Sequence, residues 1–326
     1  MEMESKRTLI LQWFEQGTIN KDKTTDVLSS MGVLPDGLRW RVFIENLLAW
    51  LGGLALVFAM MFFIAYNWEA MGRFAKFALV ESSIVLCIGI YWKFDVNKIA
   101  AKISLMMATI LLGVLLALYG QTYQTGADPW QLFANWALLM LPWAFVAQFA
   151  SIWLIWVALL NLSTVLYFQT SSFMFGLFFG DIENVFWILF VFNLFVWIIW
   201  ELLASRFSWL EERWAIRLIA IVSGFSISYL MLMVIFDHYS HNVSVVFIYF
   251  VWVGVLYYSY RRIKHDLFML AGLCLSAIVV ITSFFANNLL DRHDSIGGFF
   301  FLTLIVIAMA AGAAKWLKNI QKEMML

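Results

Sequence analysis

The chain has 326 residues, of which 63% are hydrophobic and 13% are charged, whereas about a quarter of the residues in a typical soluble protein carry a charge. This composition excludes an ordinary soluble domain and is typical of a protein that crosses the membrane several times. The 21 basic and 21 acidic residues cancel, so the net charge gives no support to a nucleic-acid partner.

The first 44 residues are predicted to form a short region ahead of the membrane domain. Apolar residues recur at helical spacing from Leu9 to Phe14, Gly17 ends that helix, and a second helix runs to Leu28. About thirty residues are too few to fold alone. We therefore expect a soluble cytoplasmic helical hairpin over residues 5–34 and an interfacial lead-in up to residue 44. Residues 1–34 would dock on the membrane domain or on a protein partner.

Residues 45–326 are predicted to form the membrane domain, with about ten transmembrane helices. Each apolar run has about twenty residues, the length that crosses a bilayer as a helix. The predicted spans are residues 46–66, 74–92, 102–120, 131–149, 151–168, 185–204, 215–236, 243–260, 267–286 and 297–314. The predicted fold class is therefore all-α, a polytopic integral membrane protein in contact with the lipid bilayer.

The basic residues predict the orientation of these spans. If the N-terminus is cytoplasmic, 18 of the 21 Lys and Arg residues lie on the inner side, and only Arg73, Lys76 and Arg292 lie on the outer side. Because short cytoplasmic loops carry an excess of bases, this distribution predicts that both termini are cytoplasmic.

Two polar segments are predicted on the outer side. One joins spans one and two, the other joins spans three and four, and their candidate residues are Asn67, Trp68, Glu69, Arg73 and Lys76, and Gln121, Tyr123, Gln124 and Asp128. One hypothesis is that these side chains converge in an outward-facing polar pocket. The alternative is structural: Asp128 and Asn67 would cap helices, and Trp68 would anchor the membrane interface.

Glu81 is the candidate site inside the membrane. Span two begins near Gly72, so Glu81 lies about 14 Å along the helix, close to the middle of the bilayer. An ionisable group at that depth is a functional candidate by default, and proton coupling is one hypothesis. The alternative is a protonated carboxyl group that is hydrogen-bonded to Asn161 or Asn193, near the middles of spans five and six.

Several motifs in the first half resemble a known family. They are Tyr66-Asn67-Trp68, Phe74-Ala75-Lys76, Ala117-Leu118-Tyr119-Gly120-Gln121-Thr122-Tyr123-Gln124, Gly126-Ala127-Asp128, and Trp13 followed by Gly17-Thr18-Ile19. Over residues 5–150 the chain is similar to the bacterial predicted membrane proteins grouped as domain of unknown function 2157. The resemblance implies a bacterial inner-membrane location and no particular activity.

Three classes of function follow from these features. The first is a transporter or a membrane protein that binds a small molecule or lipid at an outward-facing polar site. The second is a non-catalytic subunit or scaffold of an envelope complex, and a homo-oligomer is compatible with either class. The third is a membrane enzyme acting on lipid or glycan precursors at the outer face, with Asp128 or Glu81 as the acid or base; it is less favoured because a second clustered acid is lacking. No cofactor or metal site is predicted, and Cys87 and Cys274 are interpreted as reduced packing residues.

Overall fold

The computed structural model describes residues 37–171, 182–236, 243–290 and 295–325. These residues contain ten helices that are long and apolar enough to cross a membrane, which confirms the predicted ten-span, all-α, multi-pass membrane fold. The helices are α1 Gly37–Tyr66, α2 Arg73–Lys93, α3 Ile99–Tyr123, α4 Pro129–Ala147, α5 Ala150–Ser171, α6 Ile182–Leu203, α7 Arg213–Phe236, α8 Val243–Tyr258, α9 Leu267–Leu290 and α10 Ser295–Met325.

The predicted interfacial lead-in is part of the first helix. Because α1 begins at Gly37, residues 38–44 continue directly into the first span. Arg41 and Glu45, one helical turn apart on this exposed part, form an ion pair at 2.8 Å. The predicted hairpin of residues 5–34 and the partner-binding role of residues 1–34 lie outside the described residues.

Short connections set the other junctions. Gln148, with a φ of 46°, turns the chain between α4 and α5, so that these two helices form a tight hairpin. A 3₁₀ turn, Ser208–Leu210, lies between α6 and α7. A π-helical turn, Ser259–Ile263, extends α8, and His265, with a φ of 45°, then leads the chain towards α9.

The chain divides into two compact units. The first comprises Met1–Leu111 with Gln321–Leu326, and the second comprises Leu112–Ile320. In the first unit, α1 and α3 approach closely at Gly53, where a Cβ would lie 2.7 Å from the side chain of Ile103. Val57, Val80 and Ala108 are among its buried residues.

The second unit is built on pairs of neighbouring helices. The α4–α5 hairpin is one pair, and α6 packs on α7, which also contacts α8 and α9. Ile152, Ile219 and Leu270 lie fully buried in this unit. In both units many large apolar side chains are exposed, as expected where helices face lipid instead of water.

Candidate functional site

A buried lysine lies in the first turn of α2, next to the segment that joins α1 and α2 and that is predicted on the outer side. Lys76 is 6% exposed, and its Nζ lies 3.5 Å from the centre of the Trp68 ring, close enough for a cation–π interaction. Arg73, at the start of α2, is exposed and lies over the ring of Phe74. Glu69 is exposed and precedes α2.

The prediction that Asn67 caps span two is wrong. The residue at the N-cap of α2 is Gly72, and Asn67 instead follows the end of α1, where its Nδ2 donates to the carbonyl oxygen of Phe63 at 2.9 Å. The physical reason is that α1 continues to Tyr66, so the side chain of Asn67 pairs with a carbonyl of the helix before it.

Half of the second outer segment is helical. Helix α3 continues through Gln121 to Tyr123, and the turn that follows uses positive φ angles at Gln124 (45°) and Gly126 (65°). Gln121, Tyr123 and Gln124 are exposed. Asp128 occupies the N-cap position of α4 as predicted, but its side chain makes no capping hydrogen bond.

The two segments predicted on the outer side belong to different compact units. Lys76 contacts Trp68 in one, and Tyr119 packs on Tyr123 in the other, with 4.9 Å between ring centres. Their convergence in one outward-facing pocket stays a prediction.

The candidate residues inside the membrane also belong to different compact units: Glu81 lies in the first unit, and Asn161 and Asn193 lie in the second. Glu81 is exposed on α2, and its neighbours Ser82 and Ser83 both donate to the carbonyl oxygen of Leu79. Asn161 of α5 and Asn193 of α6 form two reciprocal amide hydrogen bonds, at 3.1 and 2.7 Å. This pair joins α5 to α6, and a proton-coupling role for Glu81 stays a prediction.

A set of charged residues that the sequence analysis did not single out meets at one end of the second unit. We call it the ionic cluster; its members are Glu201, Arg213, Arg217, Lys264 and Asp266. In the predicted orientation this end is cytoplasmic. The cluster connects the end of α6 and the start of α7 with the connection between α8 and α9.

Asp266 lies at the centre of the cluster, with its side chain 3% exposed. It pairs with Arg213 at 2.9 Å and with Arg217 at 3.1 Å, and it accepts the backbone N–H of Phe268 in the first turn of α9 at 3.0 Å. Burial alone would raise the pKa of Asp266. The hydrogen bonds and charges of Arg213 and Arg217 outweigh burial and lower that pKa below its usual value.

Glu201 forms the second half of the cluster. Its carboxylate accepts hydrogen bonds from Arg213 at 3.2 Å and from the Tyr260 hydroxyl at 2.6 Å, and it pairs with the Lys264 ammonium. The Tyr260 oxygen in turn accepts the indole N–H of Trp197 at 2.9 Å. The buried Tyr260 therefore links two residues of α6, the indole of Trp197 and the carboxylate of Glu201.

The sequence contained a partial signal for this cluster. Arg213 and Arg217 are one helical turn apart, and Glu201 ends a strongly apolar run. In the sequence these bases indicate only orientation, because the pairing of residues as distant as Arg213 and Asp266 depends on tertiary structure.

An apolar cavity of about 420 Å³, which we call the α6–α8 cavity, ends at the cluster. Apolar side chains of α6 and α8 line most of it, among them Phe190, Leu194 and Val251. Glu201, Tyr260 and Lys264 line its polar end. A cavity of this size, with a few polar groups at one end, has the dimensions of a small-molecule site.

Comparison with known proteins gives a family for the first part of the chain. Residues 11–153 match the model of a family described as predicted membrane protein, domain of unknown function 2157. The predicted resemblance is confirmed there. No curated protein and no solved structure matched the chain. The ionic cluster and the α6–α8 cavity lie beyond the part that matches domain of unknown function 2157.

Proposed function

We propose that this multi-pass membrane protein binds an anionic phospholipid in the α6–α8 cavity, with an acyl chain between α6 and α8 and the phosphate at the ionic cluster. The observation that carries the proposal is the position of the cluster: an apolar cavity ends at Lys264, Tyr260 and Glu201. An amphiphile matches both parts, because its chain replaces lipid contacts and its head meets fixed charges.

The charge of the polar end favours an anionic head. The ionic cluster holds three bases against two acids, and Arg261 and Arg262 lie in the adjoining π-helical turn. Basic pockets between transmembrane helices on the cytoplasmic side are known to bind anionic lipid heads.

Lys264 has the capacity for such a contact. Its side chain is 38% exposed. It donates to the carboxylate and to the backbone carbonyl of Glu201, which uses two of the three ammonium N–H groups. The proposal assigns the remaining N–H to a phosphate oxygen, because Lys264 lines the cavity.

The proposal is tested by titrating the purified full-length protein in mild detergent with phosphatidylglycerol or phosphatidylcholine and measuring bound lipid by native mass spectrometry. We expect phosphatidylglycerol to bind more tightly. Val251→Phe should weaken that binding because the larger side chain takes up part of the cavity, whereas Val191→Phe, an equal change on exposed α6 surface outside the cavity lining, should retain it.

A charge variant tests the polar end. Lys264→Gln should weaken phosphatidylglycerol binding about tenfold, the effect of losing one charged hydrogen bond, and reduce the preference for phosphatidylglycerol over phosphatidylcholine, whose choline group cancels the phosphate charge. Equal binding of the two lipids by the wild type, or equal binding by the Val251 and Val191 variants, would overturn the proposal.

A further inference from the structure

A second cavity, of about 330 Å³, lies among α7, α8 and α9, and we call it the α7–α9 cavity. Its lining is almost entirely apolar and contains no charged side chain. Gly224 and Gly272 contribute to the wall, and no atom lies within 4 Å of where a Cβ of Gly272 would stand. Because most of the wall is apolar, its few polar groups determine which polar group a bound molecule can carry.

The hydroxyl groups of Tyr249, Ser276 and Ser228 form a hydrogen-bonded chain in which the donor of each bond can be assigned. Ser228 donates to the carbonyl oxygen of Gly224 at 2.6 Å, since a carbonyl can only accept. In the 2.7 Å contact between Ser228 and Ser276 the donor is therefore Ser276, and in the 3.0 Å contact between Tyr249 and Ser276 the donor is Tyr249. Each hydroxyl has one proton, so all three protons are used. Ser228 and Ser276, which line the cavity, retain only acceptor lone pairs.

Trp252 supplies a hydrogen-bond donor, whereas the two serines supply only acceptors. It is 7% exposed and lines the cavity, and its Nε1 is buried without a hydrogen-bond partner among the described residues. The indole N–H can only donate. Native structures satisfy the large majority of buried polar atoms, and this unpaired donor belongs to a side chain that lines the cavity.

We propose that the α7–α9 cavity is a binding site for a lipophilic alcohol or phenol. A single hydroxyl group accepts the Trp252 N–H and donates its own proton to a serine oxygen, and the apolar body fills the rest of the cavity. An ether or ketone would satisfy only Trp252. A carboxylate would be buried with no base in the cavity wall to compensate its charge. The two cavities share Trp197, Trp252 and Leu256 in their walls, but this site takes a different head group from the phospholipid site.

The experiment measures binding of radiolabelled 4-nonylphenol to the purified full-length protein in mild detergent, in competition with unlabelled 4-nonylphenol or its methyl ether. The ether keeps the acceptor and loses the donor. We expect the phenol to compete about 3- to 10-fold more strongly than the ether, the effect of one hydrogen bond. Equal competition by the two compounds would overturn the proposal without the need for any variant.

Variants locate the site. Gly272→Leu should abolish specific binding because the side chain enters the cavity, whereas Gly254→Leu is the matched control, since Gly254 is exposed on α8 and also has open space around its Cβ position. Trp252→Phe should remove the preference for binding a hydrogen-bond acceptor and weaken phenol binding by about 3- to 10-fold. Equal phenol binding by wild type and Gly272→Leu would show partition into detergent and refute the site.

Discussion

Asp266 carries more interactions than any other carboxylate of the ionic cluster. Its two oxygens accept from Arg213, Arg217 and the backbone N–H of Phe268. The residue therefore caps α9 and neutralises two bases of α7 at the same time. Removing its charge would leave both guanidinium groups with less compensation, although each is about one-third exposed.

We predict that Asp266→Asn lowers the free energy of unfolding by about 2–3 kcal/mol, somewhat less than the cost of breaking a fully buried pair, because water still reaches the two arginines. Thermal unfolding in detergent at pH 7 measures the effect. Asp95→Asn, the same change at an exposed residue, should alter the free energy of unfolding by less than about 0.5 kcal/mol.

The pH dependence of this difference tests its electrostatic cause. Because the pKa of Asp266 is lowered in the folded state, its stabilisation is fully present above the unfolded pKa and is lost as the pH falls through the folded pKa. The gap between wild type and Asp266→Asn should therefore begin to close below about pH 4, near the ordinary pKa of aspartate. A gap that stays constant in acid would assign the effect to shape instead of charge.

At the scale of helices, the close packing of α3 against α4 depends on Gly113. A Cβ at Gly113 would lie 2.5 Å from ring carbons of Trp136. A contact that short requires the indole or a helix to move, because close-packed interiors do not absorb an added carbon atom.

We expect Gly113→Val to lower stability by about 1–3 kcal/mol, the usual cost of overpacking. The matched change is Gly89→Val on α2, where the Cβ would meet nothing within 4 Å. Thermal unfolding of both variants in the same detergent separates overpacking from the effect of a β-branched residue in a helix. Equal melting temperatures for the two variants would contradict the close contact at Trp136.

The helices were predictable from the sequence, and their contacts were not. Runs of apolar residues long enough to cross a bilayer identify the ten spans without any tertiary information. The pairing of Asn161 with Asn193, and of Asp266 with Arg213, joins residues of different helices. The role of Asn67 was not predictable either, because the sequence pattern does not show whether its side chain pairs with the end of α1 or caps the start of α2.

At the scale of the whole molecule, the distribution of bases gives a prediction of orientation. With Cys87 and Cys274 replaced by alanine, Thr125→Cys should react with a membrane-impermeant maleimide in intact cells. Lys318→Cys should react only after permeabilisation, because 18 of the 21 bases are assigned to the inner side. Both positions are exposed, so burial would not mask either thiol. The reverse labelling pattern would overturn the orientation.

The five donors around Asp266 also bear on how the second unit can move. Sliding α7 against α9 at this end requires breaking several hydrogen bonds to a carboxylate that is almost wholly shielded from water. The connection of α8 is different, because a π-helical turn and a left-handed residue, His265, separate it from α9. Helices α7 and α9 are therefore joined directly at this end, whereas α8, which borders both cavities, is held to α6 through Tyr260 and Lys264.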